Sequence, residues 1–385
     1  MKVLLTTPGR FHTFALAREL LRRDRLLAIV TGFPWEKVAR ERLPRDRVKT
    51  FPLFTLLFMG LGRLGVPARL LRPLDDIRRA SLDGLASLWA DRADVFVGLS
   101  GSGLATGQRV QRNGGVYICD RGSSHILYQK RLLEEEARLQ GTPSPVFNPA
   151  VVKKELAEYA AADAITVPSE FVRRSFLAEG VPEAKIHKIP YGVDLSRFRP
   201  GAPPEPGAFE VLFVGGLSAR KGLPYLFSAF AALKHPNKRL TLAGMPTADF
   251  AVLKPLAPEG ARFLSHVRGD DLTALMSSSH TLVLPSVEDG FGLVMAEAMA
   301  CGCPVIASGN TGASDLYTDG VEGFITPPRD VEALTGRLQA LADDPARRDA
   351  MSAAALARVA GMSGWSAYGD RMTALLEQLV AARRR

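Results

Sequence analysis

Apolar residues recur along this chain with two alternating periods. Continuous apolar runs, KVLLT (2–6), LLAIVTG (26–32), DVFVGLS (94–100), GVYICD (115–120) and ADAITVPS (162–169), predict buried strands. Between them lie stretches with apolar positions at helical spacing, such as TFALARELLRR (13–23) and EFVRRSFLAEG (170–180). The segment GAPPEPGAF (201–209) breaks the rhythm with Pro and Gly and reads as a linker. The rhythm then resumes with EVLFVGG (210–216), a helix over 224–234, RLTLAG (239–244), ARFLSHV (261–267), a helix over 270–279, and TLVLP (281–285). Residues 34–80 are the least regular part. Strands alternating with helices predict an α/β chain with parallel sheets, each doubly wound. A length of 385 residues suits two such domains. The expected division is 1–200 and 201–364. A last amphipathic helix, about 365–385, is expected to pack back on the first domain with Trp365 and Tyr368 near the crossing.

The most informative stretch is EDGFGLVMAEAMACGCPVIAS (288–308). It reads as a glycine turn, a helix over 293–301 and a strand over 304–308, which with TLVLP makes a strand–helix–strand crossover. The N-terminus of such a helix has N–H groups without partners and a favourable dipole for a phosphate. Asp289 in the turn and Glu297 one turn into the helix can face one cavity, an arrangement suited to a nucleotide sugar. In the first domain, Pro8–His12 follows the first strand at the sheet edge where ligands bind. Gly9 can let the backbone approach a diphosphate there, and His12 can contact donor or acceptor or simply cap a helix. The cluster Asp120, Arg121, Ser123, Ser124, His125 ends another strand. His125 is its preferred site residue, and helix capping by Ser123 or Ser124 is compatible with that role.

Charge sharpens the picture in one place. The net charge is +9, but residues 1–80 hold 17 Lys and Arg against 7 Asp and Glu, so the remainder is nearly neutral. Such a basic block fits an anionic partner, membrane headgroups or a phosphorylated acceptor, or else a solvated Arg-rich surface. FPLFTLLFMGLG (51–62), between basic runs, fits either a membrane interface or a buried helix. No aromatics interleave with the basic residues and no nucleic-acid reader motif appears. Three cysteines, Cys119, Cys301 and Cys303, without a paired spacing, fit a reducing compartment. With a short N-terminal apolar run and no long apolar span, the expectation is a cytoplasmic protein, peripheral at most at the inner face of the membrane.

Taken together, ADAITVPSEFVRRSF (162–176), IPYGVDLSRFRP (189–200), FVGGLSARKG (213–222) and PSVEDGFGLVMAEAMACGCPVIAS (285–308), with DGVEGFITPPRD (319–330), resemble the retaining glycosyltransferases of family 4. The resemblance implies the GT-B fold, two Rossmann-like domains facing each other across a cleft. It implies transfer of a hexosyl group from a nucleotide-diphosphate sugar to an acceptor hydroxyl with retention, in cell-envelope or polysaccharide biosynthesis. A UDP-sugar is the expected donor, and the acceptor is open, with lipid-linked and anionic molecules among the candidates. By the resemblance, Arg220 and Lys221 bind the diphosphate. Gly9, Gly216, Gly290, Phe291, Gly292 and Leu293 bring backbone to the donor, and Glu297 receives the ribose hydroxyls. Asp289, His125, Arg220 and Lys221 are the expected catalytic group, with His12, Arg121 and Ser124 on the acceptor side. The family pairs two glutamates seven residues apart, so either Asp289 or Glu288 fills the first acidic position. No Asp-x-Asp motif ends a strand, so no metal and no cofactor are expected. A nucleotide-sugar epimerase and a non-catalytic sugar-nucleotide-binding module are the competing readings.

Overall fold

The computed structural model describes residues 1–9, 11–66, 68–362 and 364–385. Arg10, in the first glycine turn, lies outside them, and the side chains of Arg63 and Arg69 are likewise outside the description. The first sheet uses β1 (Val3–Thr7), β2 (Leu26–Thr31), β3 (Val48–Thr50), β4 (Val95–Leu99), β5 (Val116–Asp120), β6 (Ala164–Val167) and β7 (Ile186–Lys188). Their order is β3-β2-β1-β4-β5-β6-β7, all parallel. The second sheet uses β8 (Phe209–Val214), β9 (Lys238–Ala243), β10 (Arg262–Leu264), β11 (Thr281–Leu284), β12 (Val305–Ser308) and β13 (Gly323–Thr326). Its order, β10-β9-β8-β11-β12-β13, repeats the plan, again all parallel. Both sheets are therefore of the Rossmann-like, doubly wound kind. Strand order reverses between β1 and β4 and between β8 and β11, and these switch points open crevices at the C-terminal strand ends.

Why the strands read so clearly follows from their burial. Val3 and Leu5 join one core cluster while Leu4 joins another, so alternate residues of β1 face two helical layers. A strand covered on both faces is apolar throughout. In the second domain a single cluster runs from Phe209 through Leu284 and Ile306 to Leu341.

Residues 34–80, the least regular part of the sequence, contain the short edge strand β3, the helix Leu53–Arg63 and most of the helix Ala68–Ser87. Pro73 inside the second helix and a three-residue strand bearing Lys49 obscure both patterns. The last helix, Gly364–Arg384, lies against Thr13–Arg22. Tyr368, Met372 and Leu376 enter the first domain's core. Arg23–Asp370 (2.5 Å), Arg25–Glu377 (3.0 Å) and Arg383–Asp163 (3.1 Å) line its edges. Among the described residues, no helix is long and apolar enough to cross a membrane.

Candidate functional site

A cavity of about 980 Å³ lies between the C-terminal edges of the two sheets. Its second-domain wall is made by Gly215 and Gly216 after β8, Lys221 one turn later, Asp289 after β11, and the start of the helix Leu293–Ala300. Lys221 is held by local capping: the Ser218 hydroxyl accepts from the Lys221 N–H (3.3 Å), closing a short helical turn. The Lys221 ammonium then pairs with the Asp289 carboxylate. Burial alone would raise the Asp289 carboxyl, but Lys221 and Arg220 outweigh it and hold it below the usual value. Gly292, at φ 77°, turns the chain into the helix, so the amides of Gly292 and Leu293 start it at the cavity wall.

Glu297 completes this wall. Burial pushes its carboxyl up to about 7, with Arg197 opposing and Asp194 adding to the rise. No side-chain hydrogen bond to it occurs among the described residues. It is a half-buried acid with open acceptor sites, the chemistry that a vicinal diol would satisfy.

The first-domain wall carries His12 after β1 and Asp120 and Arg121 after β5. His12 Nε2 lies 2.5 Å from Asp120 Oδ2, and the other Asp120 oxygen accepts from Thr166 (2.8 Å). The imidazole stacks on Tyr191, with ring centroids 4.2 Å apart. Arg121 is buried against Glu155 (2.6 Å) and donates to the Ser124 carbonyl (3.1 Å). Tyr191 and Trp365, from the two strands of chain that cross between domains, close the back of the cavity. Among the described residues, no group of three or more His, Cys, Asp or Glu could hold a metal ion.

Several expected site residues do other work. Glu288 is fully buried and spans the domains, accepting from the Ser124 N–H (3.0 Å) and hydroxyl (2.9 Å) and from Arg220 (3.1 Å). Asp289, not Glu288, therefore faces the cavity beside Glu297. Ser124 is an interdomain tie rather than a cavity wall, and Arg220 uses its Nη1 on the Glu288 carboxylate and carbonyl (2.9 Å) while its side chain stays 40% exposed. His125 is buried among Tyr159 and Phe176 and caps the helix Ile126–Gln140: its Nδ1 accepts from the Leu127 N–H at 3.3 Å. Burial pushes its imidazole down to about 4, so it is a neutral structural cap, a role expected of Ser123 or Ser124. Gly290 sits on the domain interface, where a Cβ would lie 1.7 Å from the Gly122 carbonyl oxygen. Gly9 is also off the cavity wall, its carbonyl accepting from the Thr7 hydroxyl (2.8 Å).

Tyr191, Glu155 and Arg79 line the cavity without having drawn a role from sequence. Tyr191 lies within IPYGVD, so its position was available. Glu155 and Glu158 lie on the buried face of the helix Pro149–Ala161 with Tyr159, and two acids on such a face were the available signal.

Residues 196–358 match the family model described as glycosyl transferases group 1. The chain is 32% identical over 256 residues to D-inositol 3-phosphate glycosyltransferase 1 of Catenulispora acidiphila, covering 60% of this chain and 61% of that protein. It is 32% identical over 208 residues to a glycogen synthase of Mycobacterium tuberculosis, covering 52% and 50%. The chain thus spans about half to three-fifths of the length of these curated relatives. Two solved structures share the whole fold. Sucrose-phosphate synthase of Thermosynechococcus elongatus superposes with a TM-score of 0.73 at 21% identity, over 99% of this chain and 100% of that one. HepE of Anabaena, in complex with UDP and glucose, gives 0.71 at 19% identity over 98% and 100%. The fold is therefore GT-B, and residues 196–358, which include Lys221, Asp289 and Glu297, match the glycosyl transferases group 1 model.

Proposed function

We propose that this protein is a retaining, metal-independent glycosyltransferase that moves a hexosyl group from a nucleotide-diphosphate sugar, with UDP as the expected nucleotide, to an acceptor hydroxyl. The observation that carries the reading is the wall formed by Lys221, the helix start at Gly292–Leu293, Asp289 and Glu297, set opposite the His12–Asp120 pair. Glu297 accepts the ribose diol. Lys221 and the helix N-terminus stabilise the diphosphate as charge develops on it. The anomeric carbon–oxygen bond to the diphosphate breaks, and a bond forms on the same face to the acceptor oxygen. The acceptor's proton passes to a diphosphate oxygen. Asp289 steadies Lys221 and contacts the donor sugar, while His12, Arg121 and Tyr191 orient the acceptor. The UDP and glucose held by HepE, on the same fold, suit this reading.

The test is thermal melting of the purified chain against nucleoside diphosphates and nucleotide sugars, with and without magnesium. Ligands that bind only the folded state raise the melting temperature. A selective rise with one nucleotide family and no metal requirement is expected, followed by release of the nucleoside diphosphate with an acceptor. A folded protein that responds to none of them would defeat the reading.

A further inference from the structure

The helices Leu53–Arg63 and Ala68–Ser87 pack against each other and leave apolar stripes uncovered. On the first, Leu53, Leu56 and Leu57 are 62%, 47% and 48% exposed, and Leu64, just beyond its end, is 81% exposed. The spacing is that of one helical face, and Gly60 continues it. On the second, Leu70 is 64% and Ile77 48% exposed, with Pro73, Ala80 and Gly84 exposed along the same stripe. Each helix thus turns an apolar face to solvent, the reverse of what packing on a core requires.

The chain segment that carries these stripes is cationic. Residues 35–80 carry eleven Lys and Arg against five Asp and Glu. Arg40, Arg42 and Arg45, on the segment leading into the hairpin, are exposed. Arg78 lies over the Phe58 ring, 5.2 Å from its centroid, joining the two helices at their contact. The hairpin also adjoins the acceptor side of the cavity, since Arg79 of the second helix is part of the wall.

We propose that this hairpin docks the protein on an anionic lipid surface, its leucine stripes entering the headgroup boundary and the adjoining arginines meeting lipid phosphates. Apolar stripes flanked by basic residues are the pattern of interfacial helices. Docking there would bring the acceptor side of the cavity to the bilayer, so the acceptor would be a hydroxyl carried on a lipid. The docking rests on the hairpin alone, whereas the lipid acceptor rests on the transferase reading above.

The experiment is flotation of the full chain with two kinds of vesicle, phosphatidylcholine alone and an equal mixture of phosphatidylcholine and phosphatidylglycerol. Binding to the mixed vesicles, weakened by salt, is expected, with little binding to the neutral ones. The triple variant L53Q/L56Q/L57Q should lose roughly tenfold or more of that binding, while its melting temperature and its nucleotide response stay those of the wild type. Because these leucines are exposed, the variant keeps its fold. No vesicle binding by the wild type, or binding indifferent to the triple variant, would overturn the proposal. So would a wild-type dimer in sedimentation that the same variant dissolves, since a second copy would then cover the stripes. A nucleotide response without vesicle binding would sink the docking and leave the transferase reading standing; vesicle binding without a nucleotide response would do the opposite.

Discussion

Lys221 and Asp289 are each other's nearest counter-charge on the cavity wall. Replacing Lys221 by Met removes the nearer cation that would meet the diphosphate and leaves the mostly buried Asp289 with Arg220 alone. Turnover should fall by roughly 10²–10³-fold, measured as nucleoside diphosphate release at saturating donor. A loss below tenfold would mean that another cation serves the leaving group. Glu297 gives a prediction of different form. Its carboxyl ordinarily ionises near 4.5 but is raised to about 7 here. The folded state therefore binds a proton more tightly than the unfolded one, and ionising it costs stability as pH rises from about 4.5 to about 7. Glu297→Gln escapes that cost. The ligand-free variant should be more stable than the wild type by up to about 3 kcal/mol at pH 8, with the gain fading as pH falls toward 4.5. The same variant should lose the nucleotide's stabilising effect, because the amide offers the diol one acceptor oxygen instead of two. Denaturant midpoints across pH, with and without UDP, check both parts. A variant no more stable at pH 8 than at pH 5 would refute the assignment.

At the scale of elements, His125 shows how a helix start can imitate a catalytic residue. Its ring accepts from the Leu127 N–H and packs on Tyr159 and Phe176. His125→Asn keeps a capping acceptor but empties the ring's place. It should cost about 1–3 kcal/mol of stability while leaving turnover within about twofold, read by denaturation and by steady-state rates. A hundredfold loss of rate in a folded variant would restore the catalytic reading. The sequence made the strand–helix alternation legible because parallel strands are buried on both faces, so β1 and β5 read as unbroken apolar runs. The second-domain wall was legible too, since Lys221, Asp289, Gly292 and Glu297 lie in short contiguous motifs whose turns fix their direction. The first-domain wall was not. Tertiary packing brings together His12 and Asp120 across 108 positions and Arg121 and Glu155 across 34, and no local period records such partners. The hairpin over 53–87 was hidden for another reason: its apolar stripes face outward, so an apolar run there was compatible with a buried helix.

On the scale of the whole molecule, the cavity exists only while two separately cored domains stay apposed. Beside the Ser124–Glu288–Arg220 tie, Ser169 donates to the Gly290 carbonyl (2.6 Å), and Lys188 pairs with Asp315 (2.7 Å). On another side Arg329 pairs with Glu135 and Glu136 (2.8 Å each), and Tyr225 donates to Glu136 (2.8 Å). These contacts are polar, the kind that exchange readily with water when domains open. At Gly290 the interface leaves no room for a Cβ, and its neighbour is backbone, which cannot turn aside. Gly290→Ala therefore has to separate the domains locally. The donor groups Lys221, Asp289 and Glu297 all belong to the second domain, so UDP should still raise the variant's melting temperature. The reacting geometry needs both walls, and a displacement of about 1 Å costs on the order of 10²-fold in rate. The expected result is a preserved nucleotide response, a larger radius of gyration in small-angle scattering, and turnover reduced by roughly that factor. Unchanged scattering together with full turnover would mean that the two domains react without the close apposition of Gly122 and Gly290, and that closure is set by the Glu136–Arg329 side instead.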